Sequence, residues 1–139
     1  MANVLMVNSR NKGAGFEREI CRALELDLGI KAKRDIEQYR AADHGDILVS
    51  DESWPYVIEC KRYAGKGHTY QKAWWDQVEK AANAAGKEPV LIYKYDRQPI
   101  TVVVRLEHLM KDGALHDEKI RMDWEGFMYI AREYWNDTH

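Results

Sequence analysis

The sequence predicts a single α/β domain in which helices flank a central mixed β-sheet. Three segments carry apolar residues at the spacing of an amphipathic helix, and four short runs rich in β-branched residues are bounded by turn residues. The predicted helices cover 16–29, 71–85 and 124–135, and the predicted strands cover 46–50, 56–61, 89–95 and 100–105. A chain of 139 residues buries about two-thirds of its unfolded surface, which is enough for one core spanning 1–139.

The amino-terminal part is predicted to be a polar loop followed by a helix. The loop covers 8–13, and the helix presents Phe16, Ile20 and Leu24 on one face before it ends at Gly29. An early strand is expected within 31–40.

The runs 46–50 and 56–61 are predicted to pair as a hairpin. The segment 51–55 between them contains Asp, Ser and Pro, which are typical of turns. A hairpin would bring the start of the first strand close to the end of the second.

The second helix carries Trp74 and Trp75 side by side. Because neighbouring residues of a helix point in different directions, we expect one ring to face the core and the other to meet a dimer interface or a substrate. The strands 89–95 and 100–105 are predicted to pair across the turn 96–99.

The segment 106–139 is predicted to be a helical extension of the same domain. Apolar residues at helical spacing place a helix at 124–135. The aromatic residues of this segment either cap the sheet or build a dimer; they are Trp124, Phe127, Tyr134 and Trp135.

Composition excludes several classes of protein. A hydrophobic fraction of 45% and a charged fraction of 32% are typical of a folded globular chain, and no run approaches the roughly 18 apolar residues of a membrane span. We expect an intracellular protein without a membrane or an organic cofactor. Two cysteines, 21 and 60, make neither a disulfide framework nor a zinc site, and the five histidines show no metal-binding spacing. The net charge of −2 does not by itself indicate a nucleic-acid partner.

Two acids and a lysine lie on the two predicted neighbouring strands. Because alternate residues of a strand share a face, Glu59 and Lys61 project together and Cys60 faces the opposite side. The predicted hairpin adds Asp46, and carboxylates held together repel unless a divalent cation neutralises them. Mg²⁺ prefers such oxygen ligands together with a carbonyl and water. The alternative is a solvated strand edge with a salt bridge. A nucleophilic role for Cys60 lacks the nearby base that it would need.

Four segments in this order resemble the PD-(D/E)XK nuclease superfamily, and within it the archaeal-type Holliday junction resolvases and their phage-encoded relatives. The matching segments are 13–20, 45–47, 58–61 and 81–94, within about residues 9–95. The resemblance implies a restriction-endonuclease-like fold and an endonuclease that cuts DNA with Mg²⁺, for which Mn²⁺ can substitute. It also implies a symmetric homodimer, which suits two equivalent cuts in a four-way junction.

The resemblance implies roles for individual residues. Glu17 supports the metal site from the first helix, and Asp46 and Glu59 bind the metal. The backbone carbonyl of Cys60 is a further candidate ligand, and Lys61 corresponds to the catalytic lysine. Superfamily nucleases also often place a polar residue on the helix after the lysine, where this chain has Gln77.

Basic residues flank the proposed metal-binding segments and are the candidates for contacts with DNA phosphates. They are Arg10, Lys12, Arg18, Arg34, Arg40, Arg62 and Lys66. The loop 40–45 contains no serine, whereas resolvases of this kind commonly carry a Ser-Gly pair there. Three hypotheses therefore stay open: a nuclease for four-way or branched DNA, a general repair or restriction-type nickase that also acts on duplex DNA, and a non-catalytic DNA-binding module.

Overall fold

The computed structural model of the protein describes residues 2–36, 45–110 and 117–136, with the backbone alone for 2–11 and 136. Four helices and six strands follow one another along these ranges. In chain order they are α1 (Ala2–Leu28), β1 (Ala32–Arg34), β2 (Ile47–Val49), β3 (Tyr56–Tyr63), α2 (Lys72–Ala85), β4 (Glu88–Tyr95), β5 (Thr101–Arg105), α3 (Leu106–Met110), β6 (Lys119–Met122) and α4 (Trp124–Asn136).

The strands form a four-stranded sheet and a separate two-stranded sheet. The larger sheet has the order β3-β4-β5-β6. Its first pair is parallel, because α2 carries the chain from the end of β3 back to the start of β4, and its other pairs are antiparallel. The prediction of an α/β fold with a mixed central sheet between helices is confirmed.

Alternation along β3 builds two cores, one on each side of the large sheet. Tyr56, Ile58 and Cys60 face a core that contains Phe16 of α1 and Phe127 of α4. On the other side of the sheet, the second core lies beneath α2; its members are Val57, Trp74, Trp75, Val78, Ala81, Ala82, Leu91, Tyr93 and Val103.

The helix α1 is longer than predicted, because residues 8–13 are helical and do not form a loop. Glycine costs about 1 kcal/mol relative to alanine inside a helix, which is why local preference favoured a loop here. An ion pair with a residue that is distant in sequence helps to offset this cost. Lys12 Nζ lies 3.0 Å from Oδ1 of Asp96, the residue that follows β4. The predicted end of the helix is close to the observed one, and Gly29 follows it with a φ of 71°.

The predicted hairpin between 46–50 and 56–61 is wrong. The strand β2 pairs antiparallel with β1, within the range expected for an early strand, and β3 pairs with β4. The segment between β2 and β3 is no simple exposed turn, because Trp54 is buried there with its ring centroid 5.2 Å from Tyr56 and 6.0 Å from Trp135. Because Trp54 is buried, the chain does not form a tight turn between β2 and β3. Within the described residues, β3 pairs with β4 alone and is the outer strand of the large sheet.

The segment 106–139 is not purely helical, since it contains α3 and the sheet strand β6 before α4. The strand β6 has only four residues, which alternate between exposed and half-buried positions. A sequence pattern this short does not distinguish a strand from a loop. Of the aromatic residues in α4, Phe127 is fully buried and Trp124 and Trp135 pack against the same core. The helix therefore covers the sheet.

Both tryptophans of α2 are buried, which contradicts the expectation that only one faces inward. Trp74 packs on tyrosine rings of β3 and β4, and the indole Nε1 of Trp75 donates to Glu79 at 3.2 Å. The buried stripe of an amphipathic helix is at least 100° wide, so two neighbouring residues fit within it. The prediction that α2 ends at Gly86 is confirmed, with a left-handed φ of 68° there, and β4 pairs with β5 as predicted.

The two cysteine thiols are buried and not bridged. None of the helices in the described ranges has the length and apolar character needed to cross a membrane.

Candidate active site

The strand β3 positions Glu59 and Lys61 on the face that α2 covers. Glu59 is 3% exposed, whereas Lys61 is half-buried and its Nζ donates to Gln77 Oε1 of α2 at 3.0 Å. Cys60 points into the opposite core, as the alternation predicted. The structure therefore brings Lys61 and Gln77 together, although they are sixteen residues apart.

Asp46 joins this site along the free edge of β3. Its backbone N–H donates to Ile58 O at 2.8 Å, and its Oδ2 accepts from the backbone N–H of Cys60 at 2.7 Å. A third bond, from Asp35 N to Asp46 O at 2.9 Å, connects the segment to the end of β1. The predicted proximity of Asp46 to Glu59 is thus present, but it arises from these edge contacts and not from a hairpin.

The residue before Asp46 must be glycine for this approach. Gly45 has a φ of +72°, a region that side-chain-bearing residues rarely adopt. A Cβ at this position would lie 2.6 Å from Ile58 O and 2.9 Å from Val57 Cγ1. Gly45 therefore allows the backbone to lie directly against β3, and this fixes the place of Asp46.

The two carboxyl groups of Asp46 and Glu59 are both buried, at 5% and 3% exposure. Burial, followed by the hydrogen bond and the charge of Asp46, raises the pKa of Glu59 from 4.5 to about 9, against an opposing effect of Lys61. Glu59 Oε2 is buried and accepts no hydrogen bond from any described residue. A like-charged pair in this setting needs a proton or a cation at neutral pH.

Glu17 approaches this pair from α1 and is itself paired with a base. Its Oε2 lies 3.5 Å from Arg34 Nε. Burial raises the pKa of Glu17, the charge of Asp46 raises it further, and Arg34 and Lys61 oppose both effects. Glu17 thus lies within the electrostatic field of the site.

Comparison with known families identifies the chain. The family model described as "Phage putative PDDEXK endonuclease" matches residues 8–135. The chain belongs to this family. The predicted membership of the PD-(D/E)XK superfamily is therefore confirmed.

Solved structures that are similar to this PDDEXK family member include that of an archaeal protein. The protein is Hjc from Archaeoglobus fulgidus, described as a Holliday junction resolvase from an archaeal hyperthermophile, with 18% sequence identity and a TM-score of 0.49. The similarity covers 79% of the present chain and 85% of the archaeal chain. Among curated proteins, none matches the sequence significantly.

The donor set in this PDDEXK chain fits a hard divalent cation. Asp46 and Glu59 offer carboxylate oxygens, one of which is buried without a hydrogen bond from the described residues, and Mg²⁺ is typically held by one or two carboxylates with water completing its shell. Within the described ranges, no group of three or more His, Cys, Asp or Glu side chains is arranged to hold a metal ion. The structure therefore groups Asp46 with Glu59, whereas ligand roles for Glu17 and the Cys60 carbonyl stay predictions.

Five of the seven predicted DNA-binding residues have described side chains, and these five fall into three groups. Arg18 and Lys66 are exposed; Lys12 and Arg62 both bind Asp96; Arg34 contacts Glu17. The side chain of Arg10 and the whole of Arg40 lie outside the described residues.

Asp96 of the site region is not found by sequence reasoning, and the partner of the predicted residue Arg34 is not found either. Asp96 lies in the segment that was interpreted only as a turn, yet it accepts from Lys12, from Arg62 at 2.7 Å and from the Gly65 N–H at 2.8 Å. Arg34 pairs with Glu17, and its contact with DNA stays a prediction. No local pattern marks these contacts, because the partners are far apart in sequence. In the sequence, these contacts are indicated only by the clustering of acidic and basic residues around the proposed metal-binding segments.

Proposed function

We propose that this chain is a metal-dependent endonuclease that hydrolyses phosphodiester bonds of DNA, and that four-way or other branched DNA is its substrate. Mg²⁺ is the proposed ion, with Mn²⁺ able to replace it. One observation carries the proposal: two buried carboxyl groups, Asp46 and Glu59, lie together at the edge of a sheet beside a lysine. A bound cation would relieve the repulsion between the two carboxylates. A bound cation is also what a metal-dependent site needs in order to cleave a phosphodiester bond.

The roles of the protein groups follow from their positions. Asp46 and Glu59 would hold the cation, which when bound lowers the pKa of a water and polarises the phosphate. Lys61, whose amine is fixed by Gln77 at 3.0 Å, orients the attacking water and offsets negative charge on the phosphoryl oxygens in the transition state. The water oxygen forms the new bond to phosphorus and gives up a proton to solvent. The bond from phosphorus to the leaving oxygen of the DNA strand breaks, and this oxygen keeps the bonding electrons and takes up a proton from solvent.

Glu17 and Arg34 are assigned a supporting role. Their ion pair lies close enough to influence Asp46 and Lys61 electrostatically. We assign Glu17 as a positioning residue for the acid pair, and Arg34 as the charge that keeps Glu17 ionised. Exposed bases beside the site, Arg18 and Lys66 among them, would contact the DNA backbone.

The proposal is tested on a panel of end-labelled DNA molecules. The panel contains a four-way junction, a flap, a nicked duplex, a plain duplex and a single strand, each incubated with Mg²⁺ or Mn²⁺. Asp46→Asn is the control, because an amide keeps the shape and the hydrogen bond from Cys60 but weakens cation binding. We expect cleavage of branched DNA by the natural chain alone.

The outcomes separate the three hypotheses. Paired symmetric nicks confined to the junction support a resolvase, whereas cuts across the whole panel support a general nickase. If the natural chain binds DNA and cuts none of it with either ion, the catalytic proposal fails and a binding module takes its place.

A homodimer is proposed as the acting form, because a four-way junction presents two equivalent strands to be cut. Sedimentation velocity with and without the junction measures this. A mass of one chain per junction at saturation would contradict it.

A further inference from the structure

Five aromatic rings form a cluster at the carboxyl ends of β3 and β4, on the side covered by α2. Neighbouring ring centroids in this aromatic cluster lie 5.7–6.5 Å apart. Its members are Tyr63, Tyr70, Trp74, Tyr93 and Tyr95. Tyr93 is 1% and Trp74 is 8% exposed, but Tyr63 is 49% exposed. The buried rings of Tyr93 and Trp74 therefore form the base of the cluster, and the exposed ring of Tyr63 lies at its surface.

The base of the aromatic cluster is held by hydrogen bonds to the loop that follows β3. Tyr93 Oη donates to His68 O at 2.9 Å, and Tyr95 Oη donates to Thr69 O at 2.7 Å. Gly67 packs directly on the ring of Tyr95, so that a Cβ at Gly67 would overlap this ring. Tyr63 thus lies against rings, Trp74 and Tyr95, whose positions are fixed.

Tyr63 shares its face of β3 with the proposed catalytic residues. Glu59, Lys61 and Tyr63 are alternate residues of one strand, so they project to the same side, with Tyr63 about 6.6 Å further along the strand than Lys61. The distance is close to the length of one nucleotide in an extended strand. A phosphate at Lys61 would therefore place a neighbouring base within reach of the exposed ring.

The basic residue before Tyr63 projects to the opposite face of β3 and is held beside the end of the strand. Arg62 NH1 donates to Tyr63 O at 2.8 Å, and Arg62 NH2 lies 2.7 Å from Asp96 Oδ1, which also binds Lys12. The Gly65 N–H bond and then the two bases hold the pKa of Asp96 well below its usual range, so this acid keeps both cations in place. An exposed ring next in sequence to a basic residue is the composition of surfaces that bind unpaired nucleic acid.

We propose that Tyr63 stacks on an unpaired nucleobase next to the phosphate that is cleaved, and that this contact makes the nuclease prefer branched DNA to continuous duplex. A base inside a duplex is already stacked on both faces and cannot reach a ring on a protein surface. A base at a branch point, a flap or a gap can do so. The inference rests on the proposed function, because it takes Lys61 as the place of the phosphate.

The test measures DNA binding without cleavage, in the Asp46→Asn background. Two substrates share one sequence: a flap carrying 2-aminopurine as the unpaired base at the branch, and the matched continuous duplex. Tyr63→Leu removes the ring and Tyr63→Phe keeps it. Tyr129→Leu is the matched control, because Tyr129 is also exposed, at 66%, but belongs to α4 on the opposite side of the sheet.

We expect Tyr63→Leu to weaken flap binding by about 5- to 150-fold, the range of a lost stacking contact, and to leave duplex binding within about twofold, since no stacking contact is lost there. The quenching of 2-aminopurine fluorescence on binding should disappear in Tyr63→Leu and persist in Tyr63→Phe. Tyr63→Trp, with a larger ring, should bind the flap at least as tightly as the natural chain, a result that does not depend on the stability of the leucine variant.

Two results overturn the inference. They are equal losses on flap and duplex, and unchanged flap binding and quenching in Tyr63→Leu. Failure of the proposed function has a different signature, since the natural chain with Asp46 intact would then cut no member of the DNA panel even if the ring stacks on the flap base.

Discussion

Two pairs of buried polar side chains lie along β3, and they differ in chemistry. At the start of the strand, Tyr56 Oη lies 2.8 Å from His108 Nε2, and both side chains are buried. In the middle of the strand, Glu59 lies beside Asp46 and has a buried oxygen with no hydrogen bond from the described residues. The first pair combines a donor with an acceptor, whereas the second combines two acceptors that are negative when ionised.

The contrast shows which buried polar groups serve the fold and which serve chemistry. Burial raises the pKa of Tyr56 far above its ordinary value, so this hydroxyl stays neutral at physiological pH and remains able to bond to His108. The acid pair carries a cost in the absence of a ligand, and costs of this kind are typical of sites that bind one. Changes to the acid pair should therefore raise stability and lower cleavage. Changes to Tyr56 or His108 should lower stability and leave cleavage nearly unchanged.

The largest effect is expected from Asp46→Asn. Cleavage should fall by about 10³-fold or more, because one of the two cation-binding acids is lost. The melting temperature without metal at pH 8 should rise by about 3–6 °C, since relief of the repulsion on Glu59 adds about 1 kcal/mol or more. Cleavage kinetics and thermal unfolding monitored by circular dichroism measure the two quantities.

Glu59→Gln is the companion variant, and it should show the same loss of cleavage and gain of stability. A fall in melting temperature for both variants would mean that the acid pair stabilises the fold, and the contrast with Tyr56 and His108 would then be wrong.

The next largest effect is expected from Gly45→Ala. The new Cβ would meet Ile58 O at 2.6 Å in a backbone with positive φ, which should lower the free energy of unfolding by about 2–4 kcal/mol and displace Asp46. Chemical denaturation and the cleavage assay check this together.

Gly86→Ala provides the matched control for that prediction. Gly86 also has a positive φ, 68°, but no atom lies within 4 Å of its would-be Cβ. The variant should lose about 1 kcal/mol and retain full cleavage. If the two glycine variants cut DNA equally well, the close approach at Gly45 does not position Asp46.

The pH dependence of stability should show the acid pair directly. With the pKa of Glu59 raised to about 9 from 4.5, the native state keeps a proton that the unfolded state releases within this window. Unfolding free energy should therefore fall as pH rises from about 5 to 9, by up to about 1.4 kcal/mol for each pH unit, and become level above that range.

Urea titrations in EDTA at several pH values measure this dependence, and Glu59→Gln should flatten it. A natural chain whose stability rises across the same window would show that the native state holds Glu59 ionised.

The smallest of these effects is expected from Tyr56→Phe. Removal of the hydroxyl that meets His108 Nε2 should lower the free energy of unfolding by about 1–2 kcal/mol while cleavage stays within about twofold, because the pair lies outside the acid site. Denaturant unfolding and the cleavage assay measure both, and a tenfold loss of cleavage would place this pair within the catalytic machinery.

Sequence periodicity predicted the faces of β3 but not its neighbours. The two-residue repeat correctly placed Glu59 and Lys61 together and Cys60 behind them, because alternation is a property of a single strand. The predicted hairpin failed because pairing is decided by burial elsewhere, including that of Trp54. Asp46 still reached Glu59, since a glycine allowed its backbone to approach the strand edge.

The parts that sequence did not predict depend on contacts between distant residues. The pairing of Lys12 with Asp96 joins residues 84 positions apart, and it helps to keep a glycine-containing segment helical. The strand β6 has only four residues and takes its conformation from pairing with β5. In both cases tertiary contacts override local preference.

The position of Asp46 along the free edge of the outer strand β3 has a consequence for the solubility of the protein. Outer strands offer free N–H and C=O groups that can recruit strands of other chains and start aggregation. On β3 the segment of Asp46 occupies two of these groups, Ile58 O and Cys60 N, while the opposite outer strand, β6, exposes Lys119 and Arg121. Asp46 thus both completes the proposed cation site and blocks part of an edge that could pair with strands of other chains. Damage to this segment should therefore remove activity and promote intermolecular association together.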